Sequence, residues 1–141
     1  MLNSNAYLLD THVFLWLIDG NKRFKQIQEF NTIIKAAEKS GLRVSVISLW
    51  EIAMLEAKGR LKFTVDIFDW IDQALAAPGI VCEPITPHVA IASTRLPGNF
   101  HGDPADRIIV ATARRLQCPL ITADREILAY ADEGYLKAIK I

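Results

Sequence analysis

Cysteine is scarce in this sequence. Cys82 and Cys118 lie far apart and form no C-x-x-C pair, which argues against a zinc site or a thioredoxin-like motif and leaves two buried thiols as the simpler reading. An excess of charge of either sign is also missing. Sixteen basic residues balance sixteen acidic ones, so the electrostatic signature of a dedicated nucleic-acid binder is absent, and any attraction to a polyanion must come from local patches. No apolar run approaches the roughly 20 residues that cross a bilayer. Met1 to Asn5 lack the basic flank and apolar stretch of a secretion signal, so no membrane association and a cytoplasmic location are expected. Repeats, low-complexity tracts and linkers are absent too. So are the nucleophile elbow G-x-S-x-G and the Walker glycine loop, and Gly98-Asn99-Phe100-His101-Gly102 lacks the dinucleotide pattern.

What is present is a globular composition, 51% hydrophobic and 23% charged over 141 residues. That length suits one domain, 1–141, with a single substantial core. Tyr7, Leu8 and Leu9 form a short strand ending at Asp10, and Val13 to Ile18 a short helix stopped by Asp19-Gly20. Helical spacing runs from Phe24 to Lys39 with Ser40-Gly41 as the stop. Arg43 to Ser48 reads as a second strand, and Leu49 to Lys58 as the helix it feeds. Asp66 to Ala77 is a further helix, and Ile80 to Ile85 a third strand. Thr86-Pro87 and Asp103-Pro104 each supply a cap followed by proline at the first helical position, opening helices that run to about Arg95 and Gln117. Pro119 to Thr122 is a fourth strand, Arg125 to Tyr130 a short helix, and Tyr135 to Ile141 a weak last strand. Strands alternating with helices at this spacing predict an α/β fold, a mainly parallel sheet of four to five strands flanked by helices on both faces.

In open α/β sheets ligands bind beyond the carboxyl ends of the strands, and the acidic residues collect there. Asp10 ends the first strand, Glu51 falls in the first turn of the helix after the second, and Asp124 follows the fourth, while Asp106 opens the long late helix. Singly, each has a structural explanation that outweighs a catalytic one. Asp10 can cap its helix, and Ser48 with Glu51 fits an S-x-x-E capping box. Asp103 can cap the helix whose first turn carries Asp106, where the dipole favours negative charge, and Asp124 can be a turn residue. Jointly the balance reverses, because carboxylates converging on one edge repel unless a cation neutralises them. Oxygen-only ligands favour Mg²⁺, with Mn²⁺ as a substitute, over zinc. The matching chemistry is phosphoryl transfer to water.

These residues carry a family resemblance. The chain resembles PIN-domain proteins of the VapC toxin group through Leu9-Asp10-Thr11-His12 with Trp16 after it, and through Ser45 to Ala53 reading S-V-I-S-L-W-E-I-A. The match continues in His101-Gly102-Asp103-Pro104-Ala105-Asp106-Arg107 followed by I-I-V-A-T-A, and in Leu120-Ile121-Thr122-Ala123-Asp124. The resemblance implies a PIN-like three-layer fold and a Mg²⁺-dependent endoribonuclease acting as the toxin of a toxin–antitoxin pair. It implies Asp10, Glu51, Asp106 and Asp124 as catalytic, metal-binding carboxylates, with Asp103 as an auxiliary. RNA as substrate, a cognate antitoxin and a homodimer are the implied partners. Thr11, Thr122, Arg107, His12 and His101 complete the candidate site as auxiliary positions, with His12 standing where many members carry asparagine. Arg107 is expected to pair with a carboxylate or a phosphate, and Arg114 and Arg115 to suit the helix C-terminus. Trp16, Trp50 and Trp70 are assigned to core or dimer packing before base stacking.

Two other classes compete. In a receiver or phosphatase-like phosphoryl-transfer protein Asp10 would be the nucleophile, but Asp10-Thr11-His12 lacks the second aspartate of a D-x-D start, and a nucleophile leaves Glu51 and Asp106 unexplained. A catalytically silent PIN-like interaction module would use the acidic edge to bind a basic peptide.

Overall fold

The computed structural model describes residues 6–20, 30–39 and 41–141. Its five strands form one all-parallel sheet in the order β3-β2-β1-β4-β5. They are β1 (Tyr7–Leu9), β2 (Leu42–Ser45), β3 (Ile80–Glu83), β4 (Leu120–Thr122) and β5 (Ala138–Lys140). The helices are α1 (Thr11–Asp19), α2 (Phe30–Glu38), α3 (Val46–Ala57), α4 (Ile67–Leu75), α5 (Pro87–Ser93), α6 (Pro104–Leu116) and α7 (Arg125–Asp132). Among the described residues, none of these is long and apolar enough to cross a membrane.

Alternation along the strands divides the core into two layers, since successive side chains point to opposite faces. Leu9, Val44 and Ile121 pack with Val13 and Phe14 of α1, Ile33 of α2 and Ile52 of α3. Leu8 and Leu120 face the other way, onto Val89 of α5, Ile109 of α6 and Ile127 of α7. Both faces are thus covered, as a parallel sheet requires, and the three-layer expectation is met.

Connectivity then locates the crevice. From β1 the chain builds outward through β2 to β3, then crosses to β4 and β5 on the far side of β1. The order reverses between β1 and β4, so the loops after these two strands diverge and leave a cleft at their carboxyl ends.

Three differences from the sequence reading matter for the site. The expected second strand, 43–48, is observed as Leu42–Ser45, and the helix begins at Val46 rather than Leu49. Ser45 is therefore the cap, its side chain accepting from the Ile47 amide at 3.1 Å, and the Ser48–Glu51 capping box is not formed. Ser48 is buried inside the helix and Glu51 sits in its second turn. Asp124 is an N-cap rather than a turn residue, its Oδ1 accepting from the Glu126 and Ile127 amides at 2.8 and 3.0 Å. By contrast, Asp66, Thr86 and Asp103 cap α4, α5 and α6 as expected. The expected helical residues 24–29 and the stop at Ser40 lie outside the described residues.

Candidate acidic active site

Asp10 closes β1 and caps α1, so its backbone is fixed by two elements at once. Its Oδ1 accepts from the Thr11 amide at 2.8 Å, and its Oδ2 accepts from the Thr122 hydroxyl at 2.7 Å. Thr122 Oγ1 in turn accepts from the Asp124 amide at 3.0 Å. The fully buried Thr122 thereby ties the ends of the two diverging strands together and sets Asp10 and Asp124 in register.

Glu51 reaches the same cleft from α3. The Thr11 hydroxyl lies 2.5 Å from Glu51 Oε1 and 2.8 Å from Ser48 Oγ. A hydroxyl has one proton to give, so donation to the carboxylate leaves Thr11 to accept from Ser48. The sequence reading cast Ser48 as a cap and missed this role, whose local signal is its position three residues before Glu51, on the same face of the helix.

Asp103 and Asp106 arrive together at the start of α6. Asp103 Oδ1 accepts from the Asp106 amide at 2.9 Å. The loop before them is anchored by Arg107, whose Nε donates to the Ser93 carbonyl at 2.8 Å and whose Nη1 donates to the Phe100 carbonyl at 2.7 Å. Tyr130 adds a third tie, its hydroxyl donating to the Pro97 carbonyl at 2.5 Å. Gly102 fits between these parts only because it lacks a side chain: a Cβ there would lie 2.4 Å from the Phe100 ring and 3.0 Å from Asp106 Cβ.

Asp10, Glu51, Asp103, Asp106 and Asp124 all line one open cleft of about 440 Å³, with Thr11, His12, Trp16 and Ala123. Carboxylate oxygens of Glu51, Asp103 and Asp106 can lie within 4.8 Å of one another. Arg107, although next to Asp106, turns its Nε and Nη1 to the carbonyls of Ser93, at the end of α5, and Phe100. His101 is exposed and lines a smaller neighbouring cavity with Phe100, Glu126 and Tyr130. Trp16 is both packed on the core and part of the cleft wall. Trp70 meets the packing expectation, its ring 4.5 Å from Phe63 and 6.3 Å from Phe14. Trp50 is 55% exposed and so is not core.

The electrostatics follow from crowding like charges in a half-buried cleft. Burial, then the neighbouring carboxylates Asp103, Asp10, Asp124 and Glu51, push Asp106 up to about 7. Asp10 is raised by burial, against the opposing bonds from Thr122 and Thr11. Glu51 is raised by burial and further by Asp10 and Asp103. No lysine or arginine is among the described residues lining the cleft. Among the described residues only His12 offsets this charge, lowering Asp10 and Glu51 slightly, and protons or a cation would compensate the rest; an all-oxygen donor set suits a hard divalent ion. The residues present fit such a group.

Comparison with known proteins agrees with this geometry. A family model described as the PIN domain matches residues 7–133. Ribonuclease VapC22 of Mycobacterium tuberculosis (strain ATCC 25618 / H37Rv) is 34% identical over 123 residues, covering 87% of this chain and 90% of that protein. Among solved structures, DNA-bound VapBC from Salmonella typhimurium aligns at a TM-score of 0.68 and 15% identity, over 99% of this chain and 98% of that one. VapBC-5 of Mycobacterium tuberculosis, a member of the VapBC family of toxin–antitoxin systems, aligns at 0.59 and 21% identity, over 97% and 99%. The structural likenesses speak for the fold.

Proposed function

The chain belongs to the PIN-domain family, and from that premise we propose that it is a Mg²⁺-dependent endoribonuclease, the toxin of a toxin–antitoxin pair. The observation that carries this reading is the convergence of five carboxylates, from four separate stretches of chain, on one cleft at the sheet's switch point. The ribonuclease relative and the toxin–antitoxin complexes among the structural neighbours support the substrate class and the biological role. They also support a cognate antitoxin as partner, and the family resemblance adds a homodimer.

Asp10, Glu51, Asp106 and Asp124 would hold the cation, with Asp103, whose carboxylate can lie within 4.8 Å of those of Glu51 and Asp106, as a further ligand. When bound, such an ion offsets phosphate charge and lowers the pKa of an attacking water. The chain's own contribution is placement. Thr122 fixes the plane of the Asp10 carboxylate, and Thr11 fixes that of Glu51. Burial and the neighbouring carboxylates push Asp106 up to about 7, which favours its protonated form in the cation-free cleft relative to an ordinary carboxylate, and an entering cation would oppose that shift. His12 stands at the exposed rim, where substrate phosphate would pass, and Arg107 acts by holding the 97–102 loop.

A phosphoaspartyl mechanism is disfavoured by the state of Asp10. It is 8% exposed, and both its oxygens already accept hydrogen bonds, which leaves little freedom for in-line attack on a phosphoryl group. The test is cleavage of labelled single-stranded and structured RNA in Mg²⁺, Mn²⁺ and EDTA, by the parent and by Asp10→Asn. Metal-dependent cutting by the parent alone is expected. If both proteins bind Mg²⁺ yet cut nothing across diverse RNAs, the silent-module reading takes its place.

A further inference from the structure

We propose that Trp16, with His12 at its edge, forms a nucleobase subsite that stacks an unpaired base of the RNA beside the scissile phosphate. This rests on the nuclease reading of the same cleft. Both residues lie on α1 one turn apart, and both line the cleft with the carboxylates. Their ring centroids are 6.2 Å apart with planes inclined at 57°. Rings so inclined form an angled wall rather than a slot, which suits one base laid on the indole with the imidazole against its edge.

The indole is preorganised for this. It is half-buried and packs against the layer of core formed by Val13, Phe14 and Ile121, so little side-chain freedom remains to be lost when a base lands on it. Trp50 and Trp70 are placed differently: neither lines the cleft.

Charge among the described residues makes such a contact useful. A basic groove draws RNA in through its phosphates, but the chain carries no net charge and the described lining of this cleft is acidic with no lysine or arginine. Aromatic stacking is an uncharged contact that tolerates any base and would add affinity for the rest of the nucleotide. Bases inside a duplex have both faces covered by their neighbours, so a stacking subsite favours unpaired RNA.

The test measures binding apart from cutting. A labelled single-stranded RNA of mixed sequence, and the same strand annealed to its complement, are titrated with the parent, Trp16→Phe, Trp16→Leu and His12→Ala, using fluorescence anisotropy with Ca²⁺ in place of Mg²⁺. Trp16→Leu, which keeps an apolar side chain against the core, is expected to weaken single-strand binding roughly ten-fold or more, as loss of one base–aromatic stack does. Trp16→Phe should retain most of the affinity, His12→Ala should lose a smaller part, and the duplex should bind the parent more weakly than the single strand does. Equal binding of single strand by the parent and Trp16→Leu would overturn the proposal. So would equal binding of duplex and single strand by the parent, a comparison that needs no variant to fold. If Trp16-dependent binding is found while the parent cuts no RNA in Mg²⁺ or Mn²⁺, the nuclease reading fails and the subsite stands.

Discussion

The Thr11 hydroxyl sits 2.5 Å from Glu51 Oε1, joining the first turn of α1 to the second turn of α3 across the mouth of the cleft. Ser48 lies behind it, fully buried, 2.8 Å from the same hydroxyl. A carboxylate on a mobile stem is useful to a cation only if its orientation is fixed before the cation arrives, and this hydroxyl is what fixes it. Thr11→Val keeps the shape and removes the donor. Loss of a hydrogen bond to a charged group predicts a fall in kcat/KM of about 10- to 100-fold, with weaker Mn²⁺ binding by calorimetry. Thr11→Ser should restore most of both. Unchanged Mn²⁺ affinity in Thr11→Val would reduce the contact to packing.

Asp106 gives a pH dependence with a definite sign. Its folded value of about 7 exceeds its ordinary 3.8, so the folded protein binds this proton more tightly than the unfolded chain does. That contribution is fully present below about pH 4 and is lost as pH rises through about 7. Asp10 and Glu51 are shifted in the same direction. Discounted for the solvent screening of a half-exposed carboxylate, the Asp106 share is about 1–2 kcal/mol, a few degrees in Tm. In EDTA the melting temperature should fall between pH 5 and pH 8, and Asp106→Asn should flatten part of that fall. Mg²⁺ should raise Tm at pH 8 and do less at pH 5, where a proton on Asp106 competes with it. A Tm in EDTA that does not fall between pH 5 and pH 8 would contradict this account of the electrostatics.

Arg107 has been committed to the protein rather than to a ligand. Its bonds to the Ser93 and Phe100 carbonyls fix the loop that delivers Asp103. Arg107→Met should cost about 2–4 kcal/mol, because two carbonyls lose a charged donor. If instead this side chain gripped substrate phosphate, its loss would lower the slope of log Kd against log salt for RNA by about one. The expected outcome is lowered stability in denaturant melts with an unchanged salt slope.

Which of these relationships the sequence discloses depends on how local they are. Asp103-Pro104 and Thr86-Pro87 announce their helices within two residues, and both caps form. Asp10 at the end of an apolar triplet is equally plain. The start of α3 is not, because Val46 and Ile47 are β-branched and read as a continuation of the strand. The structure ends β2 at Ser45, whose side chain caps the helix and whose strand partner, Glu83, is the last residue of β3. Three residues pass from strand to helix, and Glu51 moves from a capping position to the face that meets Thr11. The Thr122–Asp10 bond spans 112 positions, and no local pattern encodes it. It depends on β4 pairing with β1, a fact of topology. Trp16 shows the same limit, since helical spacing marks it as core and only the tertiary arrangement opens the cleft beside it.

Gly102 offers a test in which geometry and backbone strain separate. A Cβ there would lie 2.4 Å from the Phe100 ring, and that ring has little room to move. It is buried, and it packs against Tyr130 with centroids 5.1 Å apart, while the Tyr130 hydroxyl is itself bonded to Pro97. Gly102→Ala must therefore displace the loop, and with it the Asp103 cap and the first turn of α6 that carries Asp106. Overpacking of this kind costs about 1–3 kcal/mol, and because the displaced atoms belong to the cleft, Mg²⁺ affinity and RNA cleavage should fall further than stability does. Gly134→Ala is the matched control. Gly134 has φ +94° with nothing within 4 Å of an added Cβ, so alanine there incurs backbone strain of about 1–2 kcal/mol and touches no part of the site. The two variants should melt at similar temperatures, with only Gly102→Ala weakened in Mg²⁺ binding by calorimetry. Equal Mg²⁺ affinity in both would mean that the loop does not set the positions of Asp103 and Asp106.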